Sequence, residues 1–155
     1  MLAIRLELAL ALSLFARLPV LVAGAGTLSL VDFTNTSIIY EPDAAWALAS
    51  DARSRFTITP GSSLTFAFFG TQILIHGAKN TKGAQWNIFL DDDPQPEVGS
   101  SARQASKTLG LLLFDSGNLG EKDELHTLKM VHNDVQGRSI DIQSFDIVSD
   151  TPDTR

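Results

Sequence analysis

Beyond the first 25 positions the chain alternates apolar and polar residues, and a helical period is hard to find. In "RFTIT" the alternation predicts a strand with Phe56 and Ile58 inward and Arg55, Thr57 and Thr59 outward. "PGSS", Pro60 to Ser63, is a turn cluster. In "LTFAFFGTQILIHGA", Leu64, Phe66 and Phe68 share one face and Ile73 and Ile75 continue an apolar row beyond Gly70-Thr71. Glycine at the first central position suits a type II′ turn, so Leu64 to Ala78 predicts a β-hairpin. Phe69 and Leu74 fall on the opposite parity, so this pair is expected to be covered on both faces.

"GAKNTKGA", Gly77 to Ala84, reads as a polar loop. "QWNIFLDDDP" follows as a strand with Trp86, Ile88 and Leu90 on one face and an acidic turn at Asp91 to Pro94. Gln95 to Lys107 is poorly patterned and reads as a long loop, and "LGLLLFDSG" as a buried strand closed by a turn. "LHTLKMVHN" sets Leu128, Met130 and His132 against Thr127, Lys129 and Val131, and "NDVQGR" turns the chain. In "SIDIQSFDIVS" the apolar parity switches between Ile140/Ile142 and Phe145/Ile147, which predicts a bulge at Gln143-Ser144.

About eight strands separated by turn signals predict an all-β fold, a two-sheet antiparallel β-sandwich or jelly roll. There is no internal repeat and no low-complexity tract, and 155 residues suit one domain with room for a targeting segment. That segment is "MLAIRLELALALSLFARLPVLVAGAG". An early Arg5, an apolar run from Leu8 to Ala16 and small residues at Ala23 and Ala25 predict a signal peptide over residues 1–25. Glu7 and Arg17 depart from that pattern, and an amphipathic first helix is the competing reading. The sandwich is placed at residues 28–150 and a disordered tail at 151–155. No run of about 18 apolar residues remains after the leader, so no membrane span is expected.

Composition narrows the function classes. Net charge is -6; without Arg5, Arg17 and Glu7, 10 basic and 17 acidic residues leave -7. A nucleic-acid partner is set aside, because phosphate contacts need clustered Lys and Arg. The absence of cysteine removes thiol nucleophiles, disulfides and Cys-ligated zinc, and favours no compartment. "NTS" makes Asn35 a glycosylation acceptor in a secreted chain.

The order of these pieces resembles a galactose-binding-like jelly-roll domain of the kind abundant in secreted and membrane-anchored proteins of mushroom-forming fungi. The resemblance rests on "VDFTNTSIIY", Trp46, "PGSSLTFAFFGTQILIHGA", "WNIFLDDDP", and "ELHTLKMVHND" followed by "SIDIQSFDIVSD", and covers Leu30 to Asp150. It implies a β-sandwich and a secretory address but no single activity: such domains bind sugars, lipids or proteins, or space other parts. Two positions depart from the pattern. Gln143-Ser144-Phe145 stands where relatives carry Asp-Tyr-Phe, and Asp92 replaces a turn glycine. In related modules an Asp near that last strand helps hold a structural calcium, and uncharged Gln143 is a poorer hard-cation ligand.

Catalytic motifs are missing. G-x-S-x-G and H-E-x-x-H are absent, and no carboxylate pair is singled out among the acids. Asp91, Asp92 and Asp93 lack the alternating spacing of a calcium loop and read as a solvated turn. His126 and His132 share a parity but stand about 20 Å apart on a straight strand, too far for one metal. No cofactor or metal is expected. The aromatics suit binding better, since a pyranose stacks on Trp or Tyr and hydrogen-bonds polar neighbours. Tyr40, Trp46, Lys79, Asn80, Lys82 and Trp86 are therefore the expected ligand-binding residues. For Trp86 the core reading, beside Ile88 and Leu90, is the stronger one; for Trp46 surface and core stand level. The functional expectation is a secreted, non-enzymatic module with a glycan or cell-wall polysaccharide as partner. The alternatives are the ectodomain of a single-pass membrane protein, or an accessory or degenerate glycoside hydrolase module.

Overall fold

The computed structural model describes residues 26–79, 84–95, 98–99, 108–120 and 123–150. The leader, residues 80–83 of the "GAKNTKGA" loop, much of the segment from Gln95 to Lys107 and the tail lie outside the described residues. Twelve strands occur among those described: β1 (Thr27–Asp32), β2 (Ile38–Glu41), β3 (Trp46–Leu48), β4 (Arg55–Thr57), β5 (Ser63–Gly70), β6 (Gln72–Lys79), β7 (Gln85–Leu90), β8 (Asp93–Pro94), β9 (Val98–Gly99), β10 (Thr108–Asp115), β11 (Glu124–His132) and β12 (Ile140–Ser149). One sheet runs β10-β6-β12-β4-β3, with β1 also on β12; the other runs β2-β5-β11-β7-β8, with β9 also on β7. Every pairing is antiparallel. The expected all-β two-sheet sandwich is the observed architecture.

The core forms where the alternating rows meet. Leu64, Phe66 and Phe68 of β5, Leu128 and Met130 of β11, and Trp86, Ile88 and Leu90 of β7 face Ile73 and Ile75 of β6 and Ile140, Ile142, Phe145 and Ile147 of β12. Phe66 and Phe145 join the sheets with ring centroids 5.2 Å apart. Both apolar parities of β12 point inward because the register with β6 shifts between Ile142 and Ser144, the irregularity that the sequence places at Gln143-Ser144.

The acidic turn after β7 also forms where expected. Leu90 pairs with Asp93 across it, and Asp91 (φ 52) and Asp92 (φ 67) both adopt positive φ, the pattern of a type I′ hairpin turn. Aspartate is among the few side chains that tolerate this region.

Two expectations are corrected. The segment from Leu64 to Ala78 is not a hairpin: β5 and β6 belong to opposite sheets, and the chain crosses the sandwich at Thr71. Its amide donates to the Val148 carbonyl (2.8 Å) and its carbonyl accepts from Leu119 N–H (2.8 Å). Gly70 has no positive φ. Glycine is needed there because a Cβ would stand 2.6 Å from the Val148 carbonyl oxygen and 2.7 Å from Ile147 Cγ2.

The parity of β4 is also inverted. Thr57 is buried and Ile58 is 51% exposed, the reverse of the alternation expected for "RFTIT". Pairing fixes this face, since Thr57 and Arg55 sit opposite the core residues Ile140 and Ile142 of β12. The Thr57 hydroxyl is satisfied by Ser62 Oγ at 2.9 Å, so its burial leaves no unpaired group.

Candidate functional site

The inverted strand builds the site. β3 and β4 pair in the register Trp46–Thr57 and Leu48–Arg55, so these four residues share one face. Trp46 and Thr57 are buried, whereas Leu48 is exposed and Arg55 half-buried. The core-facing row therefore runs out into solvent at this end of the sheet. The connection from β1 to β2 closes the other side. Asp32 Oδ1 accepts from the Thr34 amide (2.9 Å) and the Thr34 hydroxyl (2.7 Å), an Asx-type turn, and the Phe33 amide donates to the Gln143 carbonyl (3.1 Å). The result is an open pocket of about 300 Å³ lined by Phe33, Thr34, Trp46, Leu48 and Arg55.

An aromatic stack supports it from below. The Tyr40 hydroxyl donates to the Phe33 carbonyl (2.9 Å), and the Trp46 indole N–H donates to the Ser63 carbonyl (3.1 Å). Their rings meet edge-on with centroids 4.9 Å apart. The Arg55 guanidinium lies 4.2 Å above the Tyr40 ring centroid, within cation–π range, and Nη2 pairs with the Asp43 carboxylate. Asp43 opens the 3-10 turn Asp43–Ala45. Burial pushes the Tyr40 hydroxyl far above its ordinary range; nearby Arg55 pulls it down and Asp32 adds to the rise. Tyr40 thus remains a protonated donor to Phe33.

Of the expected ligand-binding residues, Trp46 lines this pocket and Tyr40 stands directly behind Arg55. Both rings are packed on their edges or faces, so neither is an open stacking platform. Trp86 is 0% exposed in the core beside Ile88 and Leu90 and has no ring face to offer a ligand. Its expected binding role is corrected, because β7 turns it inward opposite His132. Lys79 ends β6 opposite Thr108, and Asn80 and Lys82 lie outside the described residues. Asn35 is exposed, its side-chain oxygen accepting from the Ser37 amide and hydroxyl.

Phe33, Thr34, Leu48 and Arg55 were not among the residues expected from sequence. A half-visible signal exists for Phe33 and Thr34, which lie in "VDFTNT". Arg55 gave none, because its role depends on the inverted face of β4.

Gln143 proves to be a brace. Its side-chain oxygen accepts from the Gly110 amide and its side-chain N–H donates to the Arg53 carbonyl (3.4 Å), tying the β10 bulge to the β3–β4 turn. Among the described residues no group of three or more His, Asp or Glu side chains could hold a metal. The histidines are spent on carboxylate and backbone contacts: His76 on Asp146 (3.0 Å), His126 on Asp91 (2.6 Å) and His132 on the Arg138 carbonyl (2.8 Å). Among the described residues no helix is long and apolar enough to cross a membrane.

No family model matches the chain, and no curated protein matches it. Solved structures do. A two-domain esterase active on acetylated mannans superposes with a TM-score of 0.61 at 13% identity, covering 81% of this chain and 37% of that one. A family two carbohydrate esterase from Cellvibrio japonicus gives 0.59 at 15% identity, covering 80% and 34%. A carbohydrate-binding module CBM36, solved in complex with calcium and xylotriose, gives 0.52 at 11% identity, covering 78% of this chain and 99% of the module. What is shared is the fold, an antiparallel β-sandwich. At these identities the likeness is one of fold, and the chain spans about a third of the length of the esterases it matches.

Proposed function

We propose that this chain is a secreted, non-enzymatic β-sandwich module that binds carbohydrate outside the cell, with the pocket between β3, β4 and the β1–β2 connection as its ligand site. The observation that carries the reading is the composition of that pocket. Apolar Phe33, Trp46 and Leu48 stand beside the Thr34 hydroxyl and the Arg55 guanidinium, the mixture a sugar ring asks for with its apolar face and polar rim. Support comes from the CBM36 module, matched over nearly its full length. The secretory part rests on the leader over residues 1–25 and on the Asn35 acceptor. On this reading the mature chain begins at Gly26 and residues 28–150 form the binding domain.

A second reading, an accessory module beside a catalytic domain, is favoured by the partial coverage of the two esterases. Both readings place ligand contact in the same pocket. The test is a glycan array probed with the full chain expressed in a secreting host, alongside Leu48→Glu. Leu48 is 58% exposed, so this substitution charges the pocket without opening the core. Binding by the parent chain and its loss in the variant, with the fold intact by circular dichroism, is the expected result. No binding to any glycan would overturn the carbohydrate reading.

A further inference from the structure

We infer that the pocket takes an acidic sugar, a ring bearing a carboxylate of the uronic acid type, which docks on Arg55 by displacing Asp43. This rests on the carbohydrate reading above and names its ligand class.

Arg55 is the one charged residue among those lining the pocket. Its side chain is only 25% exposed and one face of the guanidinium is covered by the Tyr40 ring. A partly desolvated guanidinium needs an anion, and the planar fork of donors matches a carboxylate in two-point geometry. The anion paired with it is Asp43, whose side chain is 81% exposed on a one-turn element. An ion pair with one partner so open to water is weak and easily exchanged. Among the described residues, Asp43 is also the only hydrogen-bond partner of the Arg55 side chain, through Nη2 alone. The remaining donors of the fork are left for a ligand.

An incoming carboxylate would replace that of Asp43 without leaving the cation bare at any stage. The ring that carries it would lie against the exposed Leu48 side chain, with Thr34 in reach of its hydroxyls.

Size and charge limit the ligand further. A volume of about 300 Å³ is at the small end of ligand pockets and suits one ring better than a long segment of chain. The net charge of -6 repels dense polyanions, so a single carboxylate fits better than a heavily sulfated polymer.

The test is titration calorimetry of the full chain at neutral pH against digalacturonic acid and neutral galactobiose. The acid should bind at least about tenfold more tightly, the factor a charge-assisted pair carries over a neutral one, and the ratio should shrink as salt rises. Asp43→Asn, which removes the competing carboxylate from an exposed position, should tighten binding of the acid and widen its preference over the neutral sugar. Arg55→Lys should lose most of the preference while thermal unfolding shows the fold retained. Equal or tighter binding of the neutral sugar would overturn the inference and leave the carbohydrate reading standing. Failure of both sugars to bind, together with a blank glycan array, would overturn both.

Discussion

Replacing Gly70 by alanine drives a methyl group into the backbone of β12. The new Cβ would stand 2.6 Å from the Val148 carbonyl oxygen and 2.7 Å from Ile147 Cγ2, where ordinary contacts begin at 3.4 Å. The neighbour is main chain of a strand paired on both sides, so it cannot rotate away as a flexible side chain could. The strand has to retreat by most of an ångström. Overpacking of this kind costs about 1–3 kcal/mol. The Thr71 amide that bonds the same Val148 carbonyl at 2.8 Å is strained by the shift, and a lost hydrogen bond adds roughly 1 kcal/mol. The expected loss is therefore about 2–4 kcal/mol, a large share of the ~5–15 kcal/mol that stabilises a domain.

Urea unfolding followed by fluorescence reads this directly, because Trp86 is fully buried. Gly61 supplies the control. It has φ +80 and open space where a Cβ would go, so alanine there costs only the left-handed backbone penalty of about 1–2 kcal/mol. Asparagine should recover part of that cost at Gly61 and do worse than alanine at Gly70. A Gly70→Ala variant within about 0.5 kcal/mol of the parent, or rescued by asparagine, would refute the close-approach argument.

Other outcomes follow from the same geometry. At Asp134 burial raises the carboxyl pKa, but hydrogen bonds from Arg138, Gln136 and Gln85 lower it further, so the net shift is down. Asp91 is lowered in the same way, with the His126 and Thr127 hydrogen bonds outweighing burial. A depressed folded pKa means stability that is present above the ordinary carboxylate value near 4 and lost as pH falls through the folded values. The Asp91→Asn, Asp134→Asn double variant should flatten the acid limb of the stability–pH profile, and an unchanged limb would contradict the assignment. Thr57→Val should cost about 1–2 kcal/mol by breaking the buried bond to Ser62, whereas an outward-facing Thr57 would tolerate it within about 0.5 kcal/mol. Trp86→Ala should cost about 3–5 kcal/mol in chemical denaturation, and Trp86→Phe should leave any glycan affinity unchanged. Edman sequencing of the secreted product should start at Gly26; retention of the leader would remove the support for secretion.

Alternation by itself determined the fold class, because a period of two is a property of neighbouring residues and needs no knowledge of distant ones. It was enough to line up Leu128, Met130 and His132 on β11, Trp86, Ile88 and Leu90 on β7, and to locate the bulge in β12. The tertiary structure decided what depends on residues far apart in the chain. A Gly-Thr pair between two apolar strands is compatible with a hairpin turn or with a crossing between sheets, and only the approach of Val148 to Gly70 distinguishes them. In the three-residue β4 both parities carry residues able to be buried, so the face was settled by Ile140 and Ile142 across the register. The pocket follows from that choice. Tyr40 and Trp46 were visible in the sequence as aromatics. Arg55 joined them because long-range pairing turned a charged residue onto the same face as the core, at the point where the core meets water.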